Sequence, residues 1–370
     1  MCFKLKTICF VTTGDIKNIA TAKRALGLAN PLFRLGWDVH IIMDDTEENR
    51  HRSSIECDKK VKVHFLSYAS PLDERKKKSV LVNRIRPDYI YLCAFVFRNI
   101  VTVDFKCRKL VEYSELRSAI KDVKWWRRGY ELLSEYFSLA YADGILNAST
   151  YLQKLNEKRA KRIFRNELPS LYFPYAYNGD VCKRDFYRGD IALKKGCGDI
   201  FVTYLGSLSR AYRTIDIVKA VRVIGQGNVK LLLLGDGDDS QRIRTYVAEK
   251  RLDDHVWIPG YVREEEISTY FSLTDVFVLP MNDTVQDKAR CPSKLYMYLP
   301  YGKPIVTARI GEPYEVLKDK GVYYDTGSIE SLAEAIKVAI GKKELGITPE
   351  LHEWEERARL FDKWVKEVFE

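Results

Sequence analysis

The sequence predicts an α/β protein of two consecutive parallel-sheet domains, each doubly wound. Three observations predict it. At 370 residues the chain exceeds the size at which a single core keeps growing. Apolar runs of strand length alternate with segments of helical periodicity along most of the chain. The alternation stops at a Pro-, Asn- and Gly-rich junction, residues 174–180, and then begins again.

Residues 6–12 form an apolar run that ends at Thr13, Gly14 and Asp15, a buried strand followed by a turn. Ile19, Ala22, Leu26, Ala29 and Phe33 then recur at helical spacing over 18–35, Gly36 closes the helix, and 37–43 resume as a strand. Strand, helix and strand in close succession make a parallel βαβ unit. Further strands are predicted over 61–66, 89–97 and 109–113, and a helix over 125–141. A short strand at 144–147 leads to a helix over 150–164, capped by Ser149, and a strand at 171–175.

In the second half a strand over 201–205 ends at Gly206, a helix covers 213–224, and the strand 229–234 runs into Gly235-Asp236-Gly237. Helices over 239–251 and 263–273 flank a strand at 256–258. Strands at 275–280 and 304–308 enclose a helix over 293–299, and a short strand at 322–324 precedes a helix over 328–340. Trp354, Leu360, Trp364 and Val368 mark a terminal amphipathic helix, 350–368. Open α/β sheets bind ligands at the carboxyl ends of their strands. The site is therefore expected in a cleft where those edges of the two sheets face each other.

The composition, 46% hydrophobic and 30% charged, is that of a globular protein. No run of about 18 apolar residues is present, so no membrane span is expected. The first residues lack the apolar segment and cleavage site of a secretory leader. Eight scattered cysteines without a Cys-x-x-Cys pair suggest a reducing, cytoplasmic compartment. The five histidines have no metal-ligand spacing, and no metal site is expected.

Charge is unevenly placed. Residues 1–178 hold 32 Lys+Arg against 20 Asp+Glu, whereas the remainder holds 29 against 31, so the basic excess lies in the first half. Trp125, Trp126, Arg127 and Arg128 combine interfacial aromatics with cations, and basic clusters recur at 75–78 and 154–165. These features suit docking on an anionic membrane surface, at the inner face of the membrane; the alternative is an ordinary solvated surface. Nucleic acid is not expected, since no recognition motif is present.

Two loops carry candidate chemistry. Gly206 through Arg213 joins a strand to a helix, where backbone N–H groups and Arg210 and Arg213 could hold a diphosphate; the alternative is a solvated turn. The stretch from Pro280 and Asn282 to Arg290, Pro292, Ser293, Lys294 and Leu295 is a polar loop opening a helix. Ser293 reads as its N-cap, with Arg290 and Lys294 flanking an anion site. Gly235-Asp236-Gly237 reads as a tight turn, because the spacing of a dinucleotide fingerprint fails at Ser240.

Taken in order, Tyr204-Leu205-Gly206-Ser207-Leu208, Leu232-Leu233-Leu234-Gly235-Asp236-Gly237 and Val256-Trp257-Ile258-Pro259-Gly260-Tyr261-Val262 form a series. It continues with Asp275-Val276-Phe277-Val278-Leu279-Pro280, Cys291-Pro292-Ser293-Lys294-Leu295-Tyr296 and Gly302-Lys303-Pro304-Ile305-Val306-Thr307. Over about residues 200–310 this series resembles the donor domain of family 4 retaining glycosyltransferases. The N-terminal half resembles the family more loosely, through its βαβ start and residues 110–116.

The resemblance implies a GT-B fold, two Rossmann-like domains facing across a cleft. Residues 1–178 would bind the acceptor, 179–349 the donor, and 350–370 would form a helix crossing back to the first domain. It implies Arg213 and Lys294 as catalytic groups at the diphosphate, with Glu115, beside Ser114, near the place of the family's acceptor-side histidine. Gly206, Pro292, Ser293 and Leu295 would contact the donor, Ser207 stands as a departure where the family commonly makes a further contact, and Gly260, Tyr261 and Val262 would hold the base; Arg210, Asn282 and Arg290 join the donor site from the loop chemistry above. The donor would be a UDP- or GDP-sugar, used without cofactor or metal. The acceptor would be a hydroxyl on a lipid-linked glycan or cell-surface polysaccharide intermediate.

One departure stands out. Where the family carries a glutamate for the ribose hydroxyls this chain has Met297, and the partner position is Ala289. Asp283 and Asp287 are the acids nearby. This departure motivates an alternative, a weakly active or inactive nucleotide-sugar-binding partner subunit.

Overall fold

The computed structural model describes residues 5–17, 21–120, 124–164, 167–179 and 195–370. The chain forms two compact units. The first comprises Met1–Tyr177, Ala289–Cys291 and His352–Glu370, and the second comprises Asn178–Lys288 and Pro292–Leu351.

The first unit contains, in chain order, β1 (Lys6–Val11), α1 (Thr21–Arg34), β2 (Trp37–Asp44), α2 (Glu47–Glu56), β3 (Lys62–Leu66), α3 (Pro71–Ile85) and β4 (Tyr89–Leu92). It continues with β5 (Arg108–Tyr113), α4 (Trp125–Tyr141), β6 (Gly144–Asn147), α5 (Thr150–Phe164) and β7 (Ser170–Tyr172). Its strands lie in the order β3-β2-β1-β4-β5-β6-β7 and pair in parallel. Ile8, Cys9, Phe10 and Val11 are fully buried, because a central parallel strand is covered on both faces.

The second unit begins with β8 (Ile200–Leu205), α6 (Ile215–Ile224), β9 (Val229–Leu234), α7 (Ser240–Glu249), β10 (Val256–Gly260), α8 (Glu264–Ser272) and β11 (Val276–Leu279). Then come α9 (Val285–Ala289), α10 (Ser293–Tyr298), β12 (Ile305–Thr307), α11 (Gly311–Leu317), β13 (Val322–Tyr323) and α12 (Ile329–Ile340). The sheet order is β10-β9-β8-β11-β12-β13, again parallel throughout.

The last helix, α13 (Trp354–Phe369), packs with the first unit. Trp37 Nε1 donates to Asp362 Oδ1 at 2.9 Å, and Trp354, Phe361 and Val365 enter the core beside Ala25, Leu28 and Leu32 of α1. Residues 289–291 join the same unit, although the chain on either side of them belongs to the second: Ser149 Oγ donates to the Ala289 carbonyl at 2.7 Å.

Three sequence expectations change. Helices α2 and α3 were not foreseen, yet both carry start signals. Thr46 Oγ1 accepts from Asn49 N–H, Ser70 Oγ accepts from Asp73 N–H, and Pro71 occupies the first turn. The strand expected over 89–97 ends at Leu92, and Phe97–Asn99 form a 3-10 turn tied back by Asn99 Nδ2 to the Ala94 carbonyl at 3.1 Å. The basic clusters are not wholly surface groups either. Lys78 is fully buried, and Arg159 is buried with Nη1 3.0 Å from Glu135 Oε2. Residues 18–20, Arg165 and Asp180 lie outside the described residues.

A buried ion pair joins three parts of the first unit. Arg24 of α1 donates through Nε to Glu112 Oε1 of β5 at 2.7 Å, and through Nη1 to the carbonyls of Phe173 (2.9 Å) and Pro174 (3.1 Å). Tyr91 of β4 donates to the other Glu112 oxygen at 3.1 Å. Burial raises the Glu112 carboxyl, an effect opposed chiefly by the Arg24 charge. Removing one member of such a pair strands the other in the interior, which costs about 3–5 kcal/mol, whereas replacing both with apolar groups is often neutral. Chemical denaturation should therefore show Arg24→Met losing about 3–5 kcal/mol, with much of the loss recovered in Arg24→Met/Glu112→Leu. A single variant as stable as the parent would contradict this role.

Candidate functional site

In the second sheet the chain runs outward from β8 to β10 on one side and from β11 to β13 on the other. The β8–β11 neighbourhood is thus the topological switch point, where loops diverge and leave a crevice at the strands' carboxyl ends. The loop after β8 begins at Gly206, and that after β11 includes Asn282. They meet: Asn282 Nδ2 donates to the Ala211 carbonyl at 3.2 Å.

Lys294, in the first turn of α10, lies at this point. Its Nζ donates to Tyr204 Oη at 3.0 Å and stands over the rings of Tyr204 (4.3 Å) and Tyr212 (5.6 Å). Tyr204 is buried, and its hydroxyl donates to the Ser207 carbonyl at 2.9 Å. The ammonium therefore rests immediately over Gly206. A Cβ at Gly206 would collide with Lys294 Nζ, and its φ of +134° is also a glycine conformation.

Gly235 backs the loop. Its φ is +140°, and a Cβ there would run into the Gly206 carbonyl. Leu208 N–H donates to the Asp236 carbonyl at 3.0 Å, and Asp239 N–H donates to the Leu208 carbonyl at 2.9 Å. The Gly235 turn is thus the floor on which the Gly206 loop is moulded.

The other candidate residues fall into distinct groups. Arg213, at φ +53°, is exposed, and its Nε donates to Asp216 Oδ2 at 2.6 Å. Arg210 is exposed, 3.6 Å from Asp239, which also holds Arg242. Ser207 is exposed. Gly260 accepts Gly235 N–H at 2.8 Å, Tyr261 is exposed, and Val262 is buried, so Val262 offers only backbone to a base.

Two expectations at α10 change. Pro292, not Ser293, is the N-cap residue, with no side-chain cap bond; Ser293 is the first helical residue. Leu295 is fully buried and offers no side chain to a ligand. The helix is only 6 residues long. Arg290 lies in the segment that packs with the first unit. Met297 is half-buried, Asp283 pairs with Lys288 at 2.6 Å, and Asp287 is buried and accepts Asn282 N–H at 2.6 Å.

The first sheet has its own switch point, between β1 and β4. Lys78 Nζ there donates to the Thr12 carbonyl (2.5 Å), Glu74 Oε1 (2.6 Å) and Asn99 Oδ1 (2.8 Å), and Thr13 Oγ1 donates to Glu74 Oε1 at 2.8 Å. Sequence reasoning missed this network. The Ser70–Asp73 cap would have placed residues 74 and 78 on one helix face. Glu115 follows β5, and although it reaches solvent, the surrounding protein mass raises its carboxyl, opposed by Arg117 and reinforced by Glu131.

Comparisons with known proteins bear on the fold. Residues 190–361 match the family described as glycosyl transferases group 1. The amylovoran biosynthesis glycosyltransferase AmsK of Erwinia amylovora is 26% identical over 137 residues, 36% of this chain and 33% of that protein. The chain thus spans about a third of the length of this curated relative. Anabaena HepE, solved with UDP and glucose, superposes with a TM-score of 0.74 at 13% identity, covering 98% of this chain and 100% of that one. Sucrose-phosphate synthase of Thermosynechococcus elongatus gives 0.72 at 18% identity, with 98% and 99% covered. The fold is GT-B.

A charge-assisted hydrogen bond to an anion contributes about 1.5–3 kcal/mol. Lys294→Met should therefore raise the Kd for a nucleoside diphosphate by about 10- to 150-fold. Binding of the corresponding monophosphate should change far less. Calorimetric titration of both ligands checks this, and equal effects on the two would remove Lys294 from the diphosphate site.

Proposed function

We propose that this protein is a retaining glycosyltransferase that moves a sugar from a UDP- or GDP-sugar to a hydroxyl acceptor. The observation that carries the reading is the Lys294 ammonium held over Gly206 at the switch point of the second sheet. When the bond between the anomeric carbon and the diphosphate breaks, negative charge grows on the leaving phosphate oxygens. A fixed cation beside a glycine backbone stabilises that charge without reorganising, the kind of term that supplies about 3–4 kcal/mol per group.

Arg213 and Arg210 lie on the same loop and are exposed enough to turn from Asp216 and Asp239 toward a bound diphosphate. These side chains, in this reading, do the work that a divalent cation does elsewhere. Gly260, Tyr261 and the Val262 backbone would receive the base. Glu115 would serve the acceptor side, its carboxyl raised above the ordinary range chiefly by the surrounding protein. The name of AmsK and the UDP and glucose of the HepE structure support a nucleotide sugar and a polysaccharide-building acceptor, lipid-linked or cell-surface.

The test is a thermal-shift screen of the purified protein against UDP- and GDP-sugars, followed by transfer and hydrolysis assays with and without EDTA. A ligand at 100 times its Kd stabilises by about 2.7 kcal/mol, so the true donor should stand apart. Turnover that persists in EDTA and falls in Lys294→Ala is the expected result. Binding without transfer or hydrolysis would reduce the protein to a partner subunit, and no shift with any nucleotide sugar would overturn the reading.

A further inference from the structure

Helix α4 presents an outer face that no described residue of its own unit covers. Trp125, Trp126, Tyr130, Leu132, Leu133 and Phe137 are all exposed, Trp125 by 86% and Leu133 by 71%. Positions 126, 130, 133 and 137 recur at helical spacing and form one continuous stripe along a helix of 17 residues. A stripe of this size on a water-facing helix marks an interaction surface.

The charges on α4 are sorted by face. Both of its carboxylates point inward. Glu131 accepts from Arg117 at 2.8 and 3.0 Å, and Glu135 accepts from Ser118 and from Arg159. The outward residues include Lys124, Arg127 and Arg128, and no acid. The stripe extends beyond the helix: the Phe137 ring lies 6.2 Å from Phe95, and nearby Arg75 covers the exposed ring of Phe97 at 5.1 Å. The buried pairs do not dilute the basic excess of residues 1–178, since Arg24, Lys78 and Arg159 each face a buried carboxylate and cancel.

We propose that the outer face of α4 docks on an anionic lipid bilayer. Its aromatic stripe would enter the headgroup boundary, and Lys124, Arg127 and Arg128 would meet lipid phosphates. Tryptophan and tyrosine favour that boundary because one edge of each ring is apolar and the other is polar. No described helix is long and apolar enough to cross a membrane. The inference is independent of the proposed reaction.

The test uses the full chain and vesicles of phosphatidylglycerol with phosphatidylcholine, against phosphatidylcholine alone. Co-sedimentation should be strong on the anionic vesicles only and should weaken with added salt. Trp126→Ser/Leu133→Ser should reduce partitioning by about tenfold or more, and Lys124→Ser/Arg128→Ser by about tenfold. Both variants should keep the parent's Tm and nucleotide affinity, which separates lost docking from lost folding. Absent or equal binding to the two vesicle types would overturn the proposal. So would a dimer in sizing that Trp126→Ser dissociates, or a DNA duplex that displaces the protein from anionic vesicles.

Discussion

The second unit is organised around a single close approach, a lysine ammonium resting over a residue with no side chain. Lys294 reaches that position because Tyr204 offers both an acceptor oxygen and a ring face. Tyr204 is fixed in turn by burial and by its bond to the Ser207 carbonyl. Gly206 is held to glycine by its φ of +134°, and Gly235 must be glycine to admit the Gly206 backbone. A cation held this way is oriented before any ligand arrives, which is what electrostatic catalysis requires.

The first unit is tied together differently. Arg24 links α1, β5 and the chain after β7, and its guanidinium lies 5.7 Å from the Trp354 ring of α13. That arrangement fastens the last helix to the first unit through a buried, fully engaged cation. Lys78 performs a similar task at the end of β1. The unit's basic character toward solvent therefore comes from other residues, those of the outer face of α4 prominent among them.

Most strands were readable in the sequence, because central parallel strands are buried on both faces and show as unbroken apolar runs. The helices α2 and α3 were not, because their apolar periodicity is weak and only their caps betray them. Lys78 looked like surface charge for the same reason: without the helix, its partner Glu74 one turn away is invisible. At the site, Gly206 and Lys294 could be singled out from loop chemistry. Tyr204 could not, since a tyrosine inside an apolar strand gives no sign that its hydroxyl orients a cation across the crevice. Ser293 reads as a cap because serine favours that position, but the helix starts one residue earlier than that reading places it, with Pro292 at the cap and no side-chain cap bond.

The central claim is that a diphosphate sits between Lys294 and the Gly206 loop. A crystal structure with a nucleoside diphosphate bound tests it most directly. The account predicts a phosphate oxygen about 2.7–2.9 Å from Lys294 Nζ, beside the Gly206 backbone. A diphosphate bound away from this loop, with no phosphate oxygen within hydrogen-bonding reach of Lys294 Nζ, would contradict it.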